Sequence, residues 1–313
     1  MKRRIITAII LAILLIPVVI VPELVKVFEF LVILLSIFAS LEVLNMYDKE
    51  RVLPKKMKAV SVICTLILYF AMVDNFLVCK DTLICKFLDI FDFKLDIYLA
   101  LGGIFLIFMF CMVFIHDLNA SDVGKCLLEV IYIGVTFASF TVLRSYGVRF
   151  IVYLLIISCT TDIFALVFGL KFGKHKMAPY ISPKKSWEGA IGGTAVATVL
   201  GFIFLYFYRY FAPLFHNGSS INFFDGVFGY SEFTKPGMII FMILLSASMS
   251  VCSQIGDLVA SKLKRYYGIK DYSNLFPGHG GILDRFDSAL FSSSILLVFI
   301  VYGYILSPML SGV

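Results

Sequence analysis

The stretch 238–260 reads MIIFMILLSASMSVCSQIGDLVA, and its first half carries no ionisable residue. In a helix, about 20 mostly apolar residues cross the hydrocarbon core of a bilayer, and this stretch is long enough to do so. In its second half, Ser, Gln and Asp recur at steps of three or four, which places them on one helix face. The stretch therefore predicts a membrane-spanning helix with one polar stripe.

The rest of the chain has the same character. It has 313 residues, 60% hydrophobic and 15% charged, whereas an average soluble domain has roughly 45–50% apolar and about 25% charged residues. These numbers exclude a soluble globular domain, and no heptad or Gly-X-Y period indicates a coiled coil or collagen. We predict an all-α, polytopic integral membrane protein with about nine transmembrane helices. The predicted spans are approximately 5–21, 24–45, 59–79, 96–115, 126–143, 149–170, 190–210, 238–260 and 288–310.

Basic residues indicate the orientation of these spans. With the amino terminus in the cytoplasm, nineteen of the 27 lysines and arginines fall on the cytoplasmic side, which is the expected positive-inside bias. Loops 171–189 and 261–287 then both lie in the cytoplasm, and we expect any chemistry there. Within one membrane domain, residues 1–150 are predicted to form N-terminal helices, and residues 151–313 to form the catalytic helices with their loops.

Loop 261–287, SKLKRYYGIKDYSNLFPGHGGILDRFD, concentrates the charged residues. Asp284 and Asp287 are three positions apart at the predicted start of the last span, so both project from one face of a helix amino terminus. With Asp257 they form a candidate three-carboxylate site for a hard divalent cation such as Mg²⁺. Without a cation, carboxylates clustered in this way would repel one another.

The same loop also contains candidates for phosphate binding. Gly280 and Gly281 follow His279 and leave the backbone amides open to an anion. Basic side chains supply positive charge for phosphate; they are Lys264, Arg265, Lys270 and Arg285. Anchoring at anionic headgroups would explain the basic residues alone, but it does not explain the aspartates.

Loop 171–189 contains the run SPKKSWEG, in which two lysines and a serine precede the only tryptophan of the chain. Tryptophan by itself is common at a membrane interface. Its combination with the preceding polar residues indicates a contact with a phosphate or a lipid headgroup. The three candidates are Lys184, Lys185 and Ser186.

Three features leave alternatives open. The polar stripe that ends at Asp257 is typical either of a hydrogen-bonded seam between helices or of the wall of a polar cavity. Asp162 is either part of a site or a buried structural partner for a lysine. Gly189 and Gly193 form a GxxxG pair, which favours close packing of two helices over ligand binding.

These motifs resemble the signature of the phosphatidate cytidylyltransferases, also called CDP-diacylglycerol synthases. The matching positions are Ser261, Leu263, Lys264, Arg265, Lys270, Asp271, Ser273, Phe276, Pro277, His279, Gly280, Gly281, Ile282, Asp284, Arg285, Phe286 and Asp287. The run SPKKSWEG resembles a second motif of the family, upstream as expected. One departure is Phe164, which stands in a run, DIFA, where family members often have DTGA, and it argues against close ligand approach at Asp162.

The resemblance implies transfer of a cytidylyl group from CTP to phosphatidic acid, which releases pyrophosphate and requires Mg²⁺. It implies metal ligation by Asp257, Asp284 and Asp287, with Lys264 and Arg265 also catalytic. One or two divalent ions, with a monovalent cation besides, are compatible with this pattern. The substrate-binding residues expected on the same basis are Asp162, Lys184, Lys185, Ser186, Ser261, Lys270, Asp271, His279, Gly280, Gly281 and Arg285.

The expected partners are CTP, phosphatidic acid and membrane lipid, without nucleic acid, and a homodimer is compatible with such an enzyme. We expect an integral protein of a bacterial inner membrane with its site facing the cytoplasm. Other CTP-dependent lipid enzymes, such as an archaeal-lipid cytidylyltransferase or a polyprenol kinase, remain alternatives. An ion-coupled transporter would show polar residues near the bilayer midplane and often an internal repeat, and the sequence shows no such repeat.

Overall fold

The computed structural model of the chain describes residues 16–76, 84, 94–215, 223–224, 236–275 and 280–310. Within these residues, eight helices are long and apolar enough to cross a membrane. They correspond to eight of the predicted spans, and the prediction of an all-α polytopic membrane protein is confirmed. In the first predicted span, residues 16–20 are helical, and the residues before them lie outside the described part.

The helices and strands follow one another in a simple order. They are α1 (Val25–Tyr47), α2 (Lys55–Phe76), α3 (Ile97–Phe114), α4 (Ala120–Tyr146), α5 (Val148–Phe172), β1 (Lys176–Ala178), β2 (Ser182–Ser186), α6 (Trp187–Tyr206), α7 (Tyr208–Phe211), α8 (Pro236–Tyr266) and α9 (Leu283–Leu310). Short 3₁₀ turns occupy Pro22–Leu24 and Ala212–Phe215.

Local chemistry explains several helix boundaries. Gly147 separates α4 from α5 with a φ of 140°, a backbone conformation that only glycine adopts without strain. Asp96 caps α3, because its carboxylate accepts hydrogen bonds from the amides of Tyr98 and Leu99 at 2.8 and 3.2 Å. Ser186 caps α6 in the same way, through the amide of Gly189 at 3.2 Å. Such caps satisfy amides that the first helical turn leaves without partners.

Predicted loop 171–189 contains a small antiparallel hairpin that the sequence did not reveal. Lys176 lies opposite Ser186, and Ala178 lies opposite Ser182. Strands of three and five residues are too short to show a clear alternation of apolar and polar positions. Because β2 ends at the cap of α6, the hairpin fixes the position of the two predicted phosphate-binding lysines relative to that helix.

The chain divides into two compact units. The first comprises residues 1–146 and 263–286, and the second comprises residues 147–262 and 287–313. Loop 261–287 is called the signature loop below. Most of it therefore belongs to the same unit as the N-terminal helices. The predicted division at residue 150, with catalysis assigned to the C-terminal part, stays a prediction.

In the first unit, α4 is the central helix and packs against α1, α2 and α3. Polar bonds support this packing: the hydroxyls of Tyr69 and Thr141 lie 2.7 Å apart, and both side chains are buried. Helices in a bilayer associate through close packing and such interhelical hydrogen bonds, because lipid supplies no hydrophobic driving force between them.

In the second unit, α5 and α6 pack closely at the predicted GxxxG pair. A Cβ at Gly193 would lie 2.8 Å from the carbonyl oxygen of Thr161, and one at Gly189 would lie 2.5 Å from that of Ala165. Side chains larger than hydrogen would push the two helices apart at both positions. The prediction that this pair permits close helix packing is confirmed.

The first part of the polar stripe on α8 is a hydrogen-bonded seam with α5. Its serines are fully buried, so partners on α5 must satisfy their hydroxyls. The pairs are Tyr153 with Ser246, Thr161 with Ser250 and Ser158 with Ser253, at oxygen–oxygen distances of 2.9, 2.7 and 3.3 Å. The seam holds α8 against α5 immediately before the polar residues that follow along the stripe.

Candidate functional site

Beyond the seam, the stripe becomes the wall of a polar cavity of about 240 Å³ in the second unit. Both interpretations of the stripe are therefore correct, each for a different part of α8. Residues of α5, β2, α6 and α8 line the cavity. Its polar lining consists of Asp162, Ser182, Lys184, Lys185, Ser186, Gln254 and Asp257. The structure thus brings together five predicted site residues from three separate parts of the sequence.

The central contact of the polar cavity is an ion pair between Lys185 on β2 and Asp257 on α8, and each side chain is 27% exposed. The Ser261 hydroxyl donates a hydrogen bond of 3.3 Å to the second carboxylate oxygen of Asp257. A partly exposed ion pair contributes little net free energy, typically about 0–1 kcal/mol. The pair can therefore open at small cost to receive an anionic ligand on the lysine or a cation on the carboxylate.

A second carboxylate, Asp162 on α5, lines the same cavity. It interacts electrostatically with Asp257 and Lys185, and the side chain of Ser288 lies within hydrogen-bonding reach of it. Asp162 is therefore a wall residue of the cavity as well as a neighbour of the lysine. Two carboxylates held beside one cavity repel each other, which favours a bound cation or a basic partner between them.

Asp287 lies on the first turns of α9, in the second unit, and is buried. Its carboxylate accepts a hydrogen bond of 2.8 Å from the amide of Ser288. A Cβ built on Gly256 would lie 2.8 Å from the carbonyl oxygen of Asp287, so α8 and α9 approach closely beside Asp257. The structure therefore brings Asp287 to the part of α8 that carries Asp257.

Gln254 was not among the predicted site residues, although it lies on the predicted polar stripe. Its side-chain amide donates hydrogen bonds to the Thr194 hydroxyl at 2.8 Å and to the Ala190 carbonyl oxygen at 3.3 Å. These bonds tie α8 to α6 at the edge of the cavity. A buried amide on a membrane helix is the signal that could have identified it.

An apolar groove of about 380 Å³ adjoins the polar cavity. The two share Met177, Ala190 and Gln254 as lining residues. The remaining lining residues come from α6 and α8; they are Trp187, Ile191, Thr194, Ala195, Val251 and Ile255. One continuous surface of the second unit therefore changes from charged to apolar.

A second cluster of predicted residues lies in the first unit, around Asp284. Lys264 donates to one oxygen of this carboxylate at 2.6 Å. The other oxygen accepts from the amides of Tyr272 and Gly281 at 2.8 and 2.9 Å. Lys264 also lies over the Tyr272 ring, 5.2 Å from its centroid. Gly280 has a φ of 84°, so a side chain there would be strained.

Lys264 and Asp284 are only 10% and 4% exposed. In this structure, the carboxylate of Asp284 therefore organises the signature loop through three hydrogen bonds. Its assignment as a metal ligand stays a prediction, as does the catalytic assignment of Lys264.

Glu42 on α1 was also absent from the predicted site, yet it contacts the signature loop. Its carboxylate accepts hydrogen bonds from the amides of Ile282 and Leu283 at 2.9 and 3.0 Å. The signal available in the sequence was a carboxylate within a predicted span, which is costly unless it has partners.

The remaining predicted residues of the loop lie at its surface. Arg265, Lys270, Asp271 and Arg285 are exposed, and Arg265 donates to the carbonyl oxygen of Ile269 at 3.1 Å. His279 lies outside the described residues. The substrate-binding roles assigned to these residues stay predictions.

The donor set of the polar cavity suits a hard cation, because Asp162 and Asp257 offer carboxylate oxygens. Among the described residues, no group of three or more His, Cys, Asp or Glu side chains is arranged to hold a metal ion. Mg²⁺ does not require such a cage, since it is commonly bound by one or two carboxylates with water and substrate phosphates. The residues present therefore fit a magnesium ion that substrate phosphates help to bind.

Fold and site together define an integral membrane protein with a charged cavity beside an apolar surface. The model of the cytidylyltransferase family matches residues 2–303. The chain belongs to the cytidylyltransferase family.

Curated relatives agree with this assignment. The chain is 37% identical over 196 residues to a phosphatidate cytidylyltransferase of Bacillus subtilis (strain 168). The matched stretch covers 62% of this chain and 64% of the relative. It is 35% identical over 180 residues to one of Staphylococcus haemolyticus (strain JCSC1435), covering 58% and 60%. A third relative, from Staphylococcus aureus (strain COL), is 33% identical over 198 residues, with 63% and 66% covered. The matched stretches thus span just under two thirds of these relatives' lengths.

Proposed function

We propose that the protein transfers a cytidylyl group from CTP to phosphatidic acid and produces CDP-diacylglycerol and pyrophosphate. The observation that carries this proposal is the polar cavity with its adjoining apolar groove. Its lysines suit phosphate groups, its carboxylates suit a divalent cation, and the groove suits an acyl chain. The three bacterial relatives, each named phosphatidate cytidylyltransferase, support the same activity.

The reaction requires no covalent intermediate on the protein. A phosphate oxygen of phosphatidate attacks the α-phosphorus of CTP and forms a new P–O bond. The bond from the α-phosphorus to the bridging oxygen breaks, and its electron pair leaves with pyrophosphate. A phosphate monoester has a second pKa of about 6, so at neutral pH this nucleophile is already largely dianionic and needs no strong general base.

The main obstacle is the repulsion between two highly charged phosphate groups. In our proposal, Lys184 and Lys185 bind phosphate oxygens and hold the two substrates in line, because positioning and fixed charge are the main sources of rate enhancement in phosphoryl chemistry. Lys185 exchanges its partner Asp257 for phosphate when substrate binds. The partial exposure of this ion pair keeps the cost of the exchange small.

The carboxylates of the cavity would hold the divalent cation. Asp162 and Asp257 would bind Mg²⁺ together with the substrate phosphates, and the bound ion would neutralise charge on the triphosphate. The predicted ligands Asp284 and Asp287 stay part of this proposal, as do a second divalent ion and a monovalent cation.

The lipid substrate would lie with its phosphate in the polar cavity and an acyl chain along the apolar groove. The positive-inside distribution of lysine and arginine supports a cavity that faces the cytoplasm. The bacterial relatives support a bacterial inner membrane. A homodimer is compatible with this proposal.

Pyrophosphate release by the purified protein tests the proposed function. In detergent micelles with Mg²⁺, release from CTP should require phosphatidate and should be matched by CDP-diacylglycerol formation. Omission of either substrate, or of Mg²⁺, should abolish the signal. Release with a polyprenol or an archaeal-type ether lipid, but not with phosphatidate, would refute the proposed acceptor and favour one of the related CTP-dependent enzymes.

A further inference from the structure

The hairpin of β1 and β2 carries both lysines that line the polar cavity. Lys184 and Lys185 lie on β2, a strand of five residues that pairs with a strand of three. An isolated two-stranded ribbon is marginally stable at best. Contacts outside the hairpin must therefore help to hold β2 in place beside the cavity.

Glu188, in the first turn of α6, supplies such a contact. Its carboxylate accepts hydrogen bonds from the backbone amides of Lys174 and His175, each at a nitrogen–oxygen distance of 3.2 Å. It also lies 2.6 Å from the Nδ1 atom of the His175 ring. These two residues immediately precede β1, so one carboxylate joins the start of the hairpin to the helix that follows its end.

Backbone contacts bring the same two segments together. The amide of Trp187 donates a hydrogen bond of 3.0 Å to the carbonyl oxygen of His175. A Cβ added at Gly173 would lie 2.6 Å from the hydroxyl oxygen of Ser186, so glycine there lets the chain pass directly beside the residue that caps α6. The two ends of the hairpin therefore meet at the start of α6, where Glu188 lies.

The contacts of Glu188 go beyond an ordinary interaction with its own helix. A carboxylate in the first turn of a helix is stabilised by the partial positive charge of that helix end, but this effect needs no partner outside α6. The Glu188 carboxylate instead reaches across to the residues before β1. It is not among the described residues that line the polar cavity, so it would affect a substrate through the strand that it holds.

We infer that Glu188 is a positioning residue whose carboxylate holds the hairpin so that Lys184 and Lys185 meet a substrate phosphate without a rearrangement of their backbone. This inference rests on the proposed function. A strand that is held in its binding conformation loses little entropy when a ligand binds, whereas a loosened strand must be ordered by the ligand. Loss of the carboxylate should therefore weaken substrate binding more than it slows the bound reaction.

The test is Glu188→Gln, which keeps the size of the side chain but replaces one carboxylate oxygen by an NH₂ group that cannot accept a hydrogen bond. Initial rates of pyrophosphate release give kcat and the KM values for CTP and for phosphatidate separately. We expect the KM of the substrate that Lys185 contacts to rise about fivefold, with kcat changed less than about twofold. The matched control is Glu50→Gln, another partly exposed carboxylate, whose partner is Lys125 at 2.9 Å in the first unit. It should leave kcat and both KM values unchanged.

A double-variant cycle shows whether Glu188 acts through the lysine. In a protein that already carries Lys185→Met, Glu188→Gln should raise the same KM by less than about twofold, because the main side chain that it positions is gone. The full fivefold increase in that background would overturn the inference. A lower kcat with both KM values unchanged would show a merely structural role and would overturn it as well.

A smaller change and a binding measurement complete the test. His175→Ala removes the ring contact and keeps both amides, so it should raise the same KM about twofold. It takes the place of Glu188→Gln if that variant does not fold, and an unchanged KM would then overturn the inference. If the wild-type protein shows no phosphatidate-dependent release, the proposed function fails, and calorimetric binding of CTP and of inorganic pyrophosphate replaces the KM values. Weaker binding to Glu188→Gln than to Glu50→Gln would support the positioning role, and equal binding would overturn it.

Discussion

The polar cavity and the cluster around Asp284 each contain a Lys–Asp ion pair, and the two pairs differ in exposure. Lys185 and Asp257 are each 27% exposed, whereas Lys264 and Asp284 are 10% and 4% exposed. An exposed pair contributes about 0–1 kcal/mol and opens readily. Removal of one partner from a buried pair leaves an uncompensated charge and costs about 3–5 kcal/mol. We infer that the first pair exchanges partners during function and that the second holds the loop in shape.

The largest effect is expected for Asp257→Asn in the polar cavity. Loss of this carboxylate removes a proposed cation ligand and the partner of Lys185, and pyrophosphate release should fall by about 10²–10³-fold. The thermal unfolding temperature in detergent should stay close to that of the wild type, because the residue is partly exposed. Asp117→Asn, at an exposed loop position, is the control that should retain full activity. Activity of Asp257→Asn within tenfold of the wild type would contradict its place in the site.

Asp284→Asn should separate the two pairs most clearly. The change leaves Lys264 buried without its counter-charge, so the free energy of unfolding should fall by about 3 kcal/mol, and release should fall by about 10²-fold as the loop is lost. Lys264→Met should show a similar loss of stability, and the double variant should lose less than the sum of the two, because both remove one interaction. Denaturant titration of the purified variants measures this coupling. Strictly additive losses in the free energy of unfolding would show that Lys264 and Asp284 do not stabilise the protein through their mutual interaction.

Lys185→Met tests the expectation that the ion pair of the polar cavity serves substrate binding rather than stability. The KM for CTP or for phosphatidate should rise by about 30-fold, since a charge-assisted phosphate contact is lost, while stability changes by less than about 0.5 kcal/mol. Lys174→Met, which removes an exposed lysine from the same loop, should leave both KM values unchanged. A large loss of stability in Lys185→Met would indicate that the Lys185–Asp257 pair has a structural role. The two ion pairs would then not differ in function.

Much of the architecture could be predicted from the sequence, because a membrane restricts the chain to long apolar helices. The GxxxG pair at Gly189 and Gly193 was predictable for the same reason, since small residues at this spacing have one main use in such helices. The β1–β2 hairpin was not predictable, because it is set by the short connection between α5 and α6 and has no periodicity of its own.

The site was predictable only where its residues share a local pattern. Asp257 was identified from the stripe on α8, and Lys184 and Lys185 from the run that precedes Trp187. Glu42 lies within a predicted span, but its partners could not be identified from the sequence, because they are two backbone amides and the Ser273 hydroxyl far along the chain. For the same reason, the sequence could not distinguish an aspartate that binds loop amides, such as Asp284, from one that faces a cavity.

The smallest effect is expected for Ala195→Phe, which fills part of the apolar groove without touching the charged residues. The KM for long-chain phosphatidate should rise about fivefold, because the acyl chain loses part of its contact surface, whereas the KM for a short-chain analogue and for CTP should not change. Val199→Phe adds the same ring one helical turn further along α6, at an exposed position that does not line the groove. If both variants affect long-chain and short-chain lipids equally, the groove is an ordinary lipid-facing surface. The proposal that the charged cavity binds headgroups would then stand alone, and the proposal that the apolar groove binds acyl chains would be refuted.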